Sequence, residues 1–234
     1  MVAGINGTEQ GDDMYQGKFL RWKMEELLSH DVRKFLKAEG FSKAGYTFRR
    51  SRAPLWDSIN FQPSKWNRAT PHYGFFVNVG VGSTEIEDAQ RELGVFTAPL
   101  SIFDRRWENV VPDVPDEVTF DAGTDMPAFA TELCDDLRRV LTSVEGFTTT
   151  AELVQWAVAH NKLHRMQPVC SYLAANDDID MLSAYIDSLR TQFGHQDRWE
   201  IFNSQLVVAA GRRGANLVRL GILDEPCEHF SWSD

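Results

Sequence analysis

Cysteine is scarce in this chain, and the little there is excludes two common scaffolds. Cys134, Cys170 and Cys227 are odd in number, widely spaced and free of any Cys-x-x-Cys pair. They indicate neither a disulfide framework nor a zinc knuckle and read as buried or partly buried free thiols. Long apolar runs are missing too: Gly74 to Val81 and Ser204 to Ala210 fall far short of the roughly 20 residues a membrane span needs. No basic segment leads into an apolar one near the N-terminus, so no targeting signal is expected. The prediction is a soluble, cytoplasmic protein with no membrane partner. Basic residues are in deficit, 24 Lys and Arg against 34 Asp and Glu, for a net charge of −10. That balance argues against nucleic acid, whose binding rests on clustered cations releasing counterions, and favours a basic partner. Also missing are a Gly-rich phosphate loop, a nucleophile elbow and a dinucleotide fingerprint; "GVGS", Gly80 to Ser83, is too short and lacks a following Lys,. No catalytic residues, no metal site and no cofactor are expected.

What is present suffices for a folded protein: 234 residues with 43% hydrophobic content can bury a sizeable core. Residues 1–17 are polar and Gly-rich and read as a disordered leader. From Lys18 to Glu39, Phe19, Trp22, Leu27, Leu28, Val32, Phe35 and Leu36 recur at helical spacing with Gly40 as a stop, so one amphipathic helix is expected, interrupted near Ser29. The period then becomes two. Tyr46 and Phe48 alternate with Thr47 and Arg49; Ile59 and Phe61 alternate with Ser58, Asn60 and Gln62 until Pro63; Phe75, Val77, Val79 and Val81 alternate with Phe76, Asn78 and Gly80. These predict an antiparallel meander with its apolar face under the helix, the Trp66 to His72 stretch forming a hairpin loop. "VFTAPLSIFDRRWENV" is expected to add a strand. After a Pro- and Asp-rich bridge, Phe129, Leu133, Leu137, Val140 and Leu141 begin a helical array, continued by a Thr-capped helix in "TTAELVQWAVAH" and further helices to "ANLVRLGIL",. The fold class is α+β: an N-terminal antiparallel sheet covered by a helix over residues 18–125, then a C-terminal α-helical array over 126–234.

The segments "FLKAEGFSKAGYTFRR", "INFQPSKW" and "FFVNVGV" together resemble the bacterial family catalogued as domain of unknown function 4304, over about Val32 to Trp107. The match runs through Gly40, Phe41, Thr47, Phe48, Arg49, Asn60, Phe61, Gln62, Ser64, Asn78 and Gly80, with Val79 where Leu is commoner and "FDRRW" where members carry an Arg-rich piece. The resemblance implies an α+β fold and a bacterial source, and an association with immunity proteins or antitoxins of toxin systems.

Strand parity places Arg49, Ser58, Asn60, Gln62 and Asn78 on the face opposite the apolar one, with Trp56 and Phe76 at its edges. Amides donate and accept without charge, which suits reading a backbone or a polar group. Trp56, Trp66, Trp107 and Arg49 are candidate interface anchors, and Arg105 and Arg106 could take a carboxylate or phosphate unless paired with Asp104 or Glu108. The expected function is therefore a non-enzymatic, immunity- or antitoxin-like protein that occludes a basic protein toxin. The alternative is a small hydrolase or nucleotide-processing enzyme with a phosphate site at Arg49, Gln62, Arg105 and Arg106.

Other candidates carry less. Asp57 with "QPSK" fits a metal-nuclease pattern poorly, since Asp57 shares parity with Ile59 and Phe61. His160 and His164 have the spacing of two zinc ligands on a helix but lack the Glu between them, so a helix-end pair is expected. "ANDDID" lacks the Gly and Glu of a calcium loop and is expected to supply a cap from Asn176 or Asp177. Leu206, Val207 and Val208 could line a docking groove, with burial the commoner outcome.

Overall fold

The computed structural model describes residues 9–67, 71–161 and 163–226. The first helical period resolves into two helices, α1 (Glu9–Ser29) and α2 (Asp31–Ala38), broken beside Ser29 as its sequence indicates. Helix α1 begins upstream of Lys18, within the segment expected to be disordered; residues 1–8 of that segment lie outside the described residues. Leu20, Met24, Leu27 and Leu28 form its buried stripe, each at most 2% exposed. Gly40 then adopts φ 86°, a left-handed conformation that glycine takes without a Cβ penalty, and turns the chain into the sheet.

Among the described residues six strands follow: β1 (Ser42–Ala44), β2 (Thr47–Arg52), β3 (Leu55–Pro63), β4 (Tyr73–Ser83), β5 (Phe103–Arg106) and β6 (Val118–Phe120). They form one antiparallel sheet in the order β1-β2-β3-β4-β5, with β6 pairing β4. Ser42 faces Arg49 across β1 and β2, and Tyr73 faces Phe120 across β4 and β6. Period-two parity holds through the central strands, where Phe48, Ile59, Phe61, Phe75, Val77 and Val79 are all at most 1% exposed. Phe61 sits between Phe48 and Phe75, with ring centroids 5.8 and 5.9 Å away, so one aromatic row ties β2, β3 and β4 together.

The chain divides into two compact units. One holds the chain up to Arg52, Trp56–Gly80 and Asp104–Gly146; the other holds Ala53–Leu55, Val81–Phe103 and the chain from Phe147 onward. Helix α4 (Met126–Val144) therefore belongs with the sheet rather than with the later helices. Its Phe129 ring meets Phe120 of β6 at 5.7 Å, and its last carbonyl, Val144 O, accepts from Arg52 of β2.

The second unit contains α3 (Thr84–Glu92), α5 (Thr150–Ala159), α6 (Met166–Ala175), α7 (Ile179–Phe193), α8 (Trp199–Ala209) and α9 (Gly214–Arg219). Helix α6 packs against α3, α7 and α8 around Val169, Leu182, Ile186 and Leu206, all fully buried. Leu206 is thus core, while Val207 and Val208 are half-buried. Helix α7 takes its cap from Asp178, whose carboxylate accepts from Met181 N at 3.1 Å; Asn176 closes α6 and Asp177 is left-handed at φ 63°, so neither is the expected cap.

The Thr cap of α5 is present as a reciprocal box. Thr149 Oγ1 accepts from Glu152 N at 3.2 Å, and Glu152 Oε2 accepts from Thr149 N at 3.1 Å and Thr148 N at 2.7 Å,. Those bonds, led by the Thr148 amide, hold the Glu152 carboxyl below its ordinary pKa. Its contribution is therefore present above the unfolded value of about 4.3 and is lost as pH falls through the lower folded value. Thr149→Ala is expected to cost about 1 kcal/mol, read as a lower urea midpoint at unchanged slope. An unchanged midpoint at neutral pH would show that the box adds nothing to stability.

Candidate functional site

Along β3, the side chains of Ser58, Asn60 and Gln62 alternate with the buried Asp57, Ile59 and Phe61, so they emerge on the face away from the aromatic row. They do not stand apart. Asn60 Nδ2 donates to Thr47 Oγ1 of β2 at 2.9 Å, Asn78 Nδ2 of β4 donates to Asn60 Oδ1 at 3.2 Å and to Gln62 Oε1 at 3.3 Å, and Arg106 Nη2 of β5 donates to Gln62 Oε1 at 3.4 Å. A row of polar side chains thus crosses four strands. An arginine lies over an aromatic ring at each end: Arg49 at 5.2 Å from the Trp56 centroid and Arg106 at 4.1 Å from that of Phe76,. Arg106 Nη1 is shielded from water and has no hydrogen-bond partner among the described residues.

Arg49, Ser58, Asn60, Gln62 and Asn78 are therefore brought to one face, and Arg106 joins them; Trp56 is itself buried, 9% exposed, beneath the Arg49 guanidinium. Arg105, one position earlier on β5, is out of step with Arg106 and alternates to the other side,. The expected pairing of Arg106 with Asp104 or Glu108 is not formed; stacking on Phe76 takes its place. Trp107 lies apart from this face. It is 1% exposed and its Nε1 donates to Pro115 O at 2.6 Å, so the ring belongs to the core and its donor is used internally. Trp66 is 62% exposed, with Lys65 Nζ 4.9 Å from its ring. Beside it Asn67 grips the Gly74 backbone through both amide atoms, at 2.7 and 2.9 Å. Residues 68–70 of the expected hairpin loop lie outside the described residues.

Sequence reasoning missed the cluster beneath the face. Asp57 is 1% exposed; its Oδ2 accepts from Arg50 Nε at 2.7 Å and Arg52 Nε at 2.8 Å, and its Oδ1 accepts from Arg52 Nη2 at 2.8 Å. Arg50 also reaches Glu145 Oε1 at 2.7 Å and Glu39 O at 3.3 Å, and Arg52 reaches Val144 O at 3.4 Å. Two guanidinium groups thus meet the C-terminal ends of α2 and α4, where helix dipoles and orphan carbonyls favour cations. Burial alone would lower the Arg50 pKa, but its bonds to Asp57 and Glu145 outweigh it and hold the pKa above the ordinary value. The signal was available in parity: Arg50 and Arg52 share it with Phe48, and Asp57 with Phe61, placing opposite charges on the core face of neighbouring strands.

Elsewhere the candidates dissolve. His160 closes α5, with Nδ1 2.7 Å from Trp156 O and its ring stacked on Trp156. Asn161 turns left-handed at φ 45°, and His164 lies in a 3-10 turn, Leu163–Arg165, so the two histidines do not share a helix face. Among the described residues no group of three His, Cys, Asp or Glu could hold a metal ion, and no helix is long and apolar enough to cross a membrane. Burial pushes the Cys134 thiol up to about 11 and Cys170 to about 12, so both are protonated at neutral pH and poor nucleophiles. Cys227 lies outside the described residues.

A family model described as Domain of unknown function (DUF4304) matches residues 32–151. Every residue of the polar face lies inside that span. No curated protein and no solved structure matches the chain.

Proposed function

This chain belongs to the family described as Domain of unknown function (DUF4304), and from that premise we propose that it is a non-enzymatic, immunity- or antitoxin-like protein that neutralises a basic protein toxin by occlusion. One observation carries the reading: a half-exposed polar row across four strands, held by its own hydrogen bonds and ended by Arg49 on Trp56 and Arg106 on Phe76. Arg and large aromatics dominate interface energetics, and side chains already fixed in place lose less entropy on binding. Net charge supplies the other half of the argument. The second unit carries the larger share of the acid excess, which would speed encounter with a basic partner and lose its effect as salt rises.

The test is co-expression with the product of each neighbouring gene of the source genome, scored for rescue from toxicity and for co-purification at low and high salt. Rescue with a salt-sensitive complex is the expected result; absence of both toxicity and complex removes the proposal. Within such a complex, Asn60→Ala combined with Gln62→Ala is expected to weaken binding by about tenfold or more, two lost hydrogen bonds at about 1 kcal/mol each. The melting temperature should hold. Unfolding of the double variant would make the amides structural and leave the face without a role in binding.

A phosphate-processing enzyme at the same face has one observation in its favour, the Arg106 guanidinium without an ion-pair partner. No described carboxylate touches Arg106 or Gln62, so the row offers no base beside the Arg. Inorganic phosphate that raises the melting temperature at millimolar concentration, and loses that effect in Arg106→Gln, would favour this second reading.

A further inference from the structure

The second unit holds a cleft that the polar face does not involve. It has a volume of about 280 Å³ and lies between the 3-10 turn Leu163–Arg165, the first turn of α6 and one face of α8. Leu163, Met166 and Phe202 give it apolar walls, and His164 stands at its rim. Its polar groups have unspent bonding capacity. Gln167 and Gln205 are half-buried, and among the described residues their amides make no hydrogen bond. Arg198 lies 5.2 Å from the Phe202 ring centroid and donates only through Nε, to Gln196 Oε1 at 3.0 Å, so its two terminal nitrogens have no partner among the described residues.

Backbone electrostatics add to the same sign. Met166 and Gln167 open α6 and Arg198 precedes α8, and neither helix has a side-chain cap. The positive dipole ends of the two helices favour an anion, and of the first amides of α8 Trp199 N and Ile201 N already donate to Gln196 O and Arg198 O. No carboxylate lines the cleft, although the chain as a whole is acidic. A pocket with a cation and two amides above apolar walls accommodates a charged head and a hydrophobic body together.

We propose that this cleft binds a small organic carboxylate, its carboxylate on Arg198 and the amides of Gln167 and Gln205 and its apolar body against Met166 and Phe202. Arg198 supplies a planar fork, already stacked on Phe202, that matches a carboxylate in bidentate fashion. The site is independent of the polar face and of the partner proposed for it.

Benzoate is the probe, titrated into the full chain and followed by amide resonances in ¹⁵N–¹H spectra, with benzyl alcohol as the neutral probe of matching shape. Benzoate is expected to saturate with Kd on the order of millimolar, moving the side-chain amides of Gln167 and Gln205 and the first turns of α6 and α8. Benzyl alcohol should bind at least about tenfold more weakly, and so should benzoate to Arg198→Gln, since a charge-assisted bond contributes about that factor. Arg198 is exposed, so the variant is expected to fold, checked by an unchanged melting temperature. A Gln205→Trp variant, which fills the cleft, should abolish the shifts. Linear, scattered shifts, equal affinity for the two probes, or undiminished binding by Arg198→Gln would each overturn the proposal.

Discussion

Asp57→Ala is expected to destabilise the sheet unit by about 3–5 kcal/mol, the cost of removing one partner from a buried ion pair and leaving the other charge uncompensated. Asp57 is 1% exposed, and the side chains of Arg50 and Arg52 are 8% and 21% exposed. Arg50 retains Glu145, but that carboxylate is 47% exposed and such pairs contribute at most about 1 kcal/mol. For a chain of this size the loss corresponds to a fall in melting temperature of about 10 °C. Added salt should change it little, because buried pairs are weakly screened. A triple variant, Arg50→Met, Asp57→Leu and Arg52→Met, separates the causes: it is expected to recover most of the loss, since well-packed apolar replacements of buried ion clusters are often neutral or better. A melting temperature for Asp57→Ala within a degree of the parent would mean that the cluster does not bind β2 to the ends of α2 and α4. The consequence reaches the candidate face, because Ser58 and Trp56, the latter buried under the Arg49 guanidinium, flank Asp57 on the same strand.

Parity explains what could be read in advance. In "SINFQ" a strict apolar and polar alternation assigns Asn60 and Gln62 to one side of β3 and Ile59 and Phe61 to the other, and the observed burial follows it. The Thr149 cap was equally legible, since its signal is local. The features that escaped depend on pairings between distant segments. Strands β1 and β6 have three residues each, too few for a period to show. Stacking of Arg106 on Phe76 requires that β5 lie beside β4, and the Asp57 cluster requires the register of β2 against β3. Spacing misled for His160 and His164, because four-residue spacing means one face only while the helix continues, and Asn161 ends it. Trp107 misled for a related reason: neighbours in sequence, Arg106 and Trp107 part at the end of β5 into surface and core.

Phe61→Ala, one position from Asn60, is expected to cost about 3–5 kcal/mol, the range for truncating a buried Phe. Phe61 is fully buried and is the middle ring of the row, in contact with Phe48 on β2 and Phe75 on β4. Its loss removes two ring contacts of about 0.5–1.5 kcal/mol each beyond the area term, and flanking strands cannot collapse freely into the gap without shifting their own ladder. Denaturant unfolding should show a midpoint reduced at unchanged slope, so that the native surface is preserved while its stability falls. Its binding to the partner proposed above, measured well below the new melting temperature, should stay near that of the parent, because Phe61 does not reach the polar face. The Asn60→Ala and Gln62→Ala double variant should show the reverse, a weakened complex on a stable fold. That crossed pattern, produced by neighbouring residues of one strand, is the signature of a two-faced sheet in which one side builds the fold and the other makes the contact. If Phe61→Ala and the amide variant instead lose stability and binding in the same proportion, the two faces are one structural unit and recognition lies elsewhere on the chain.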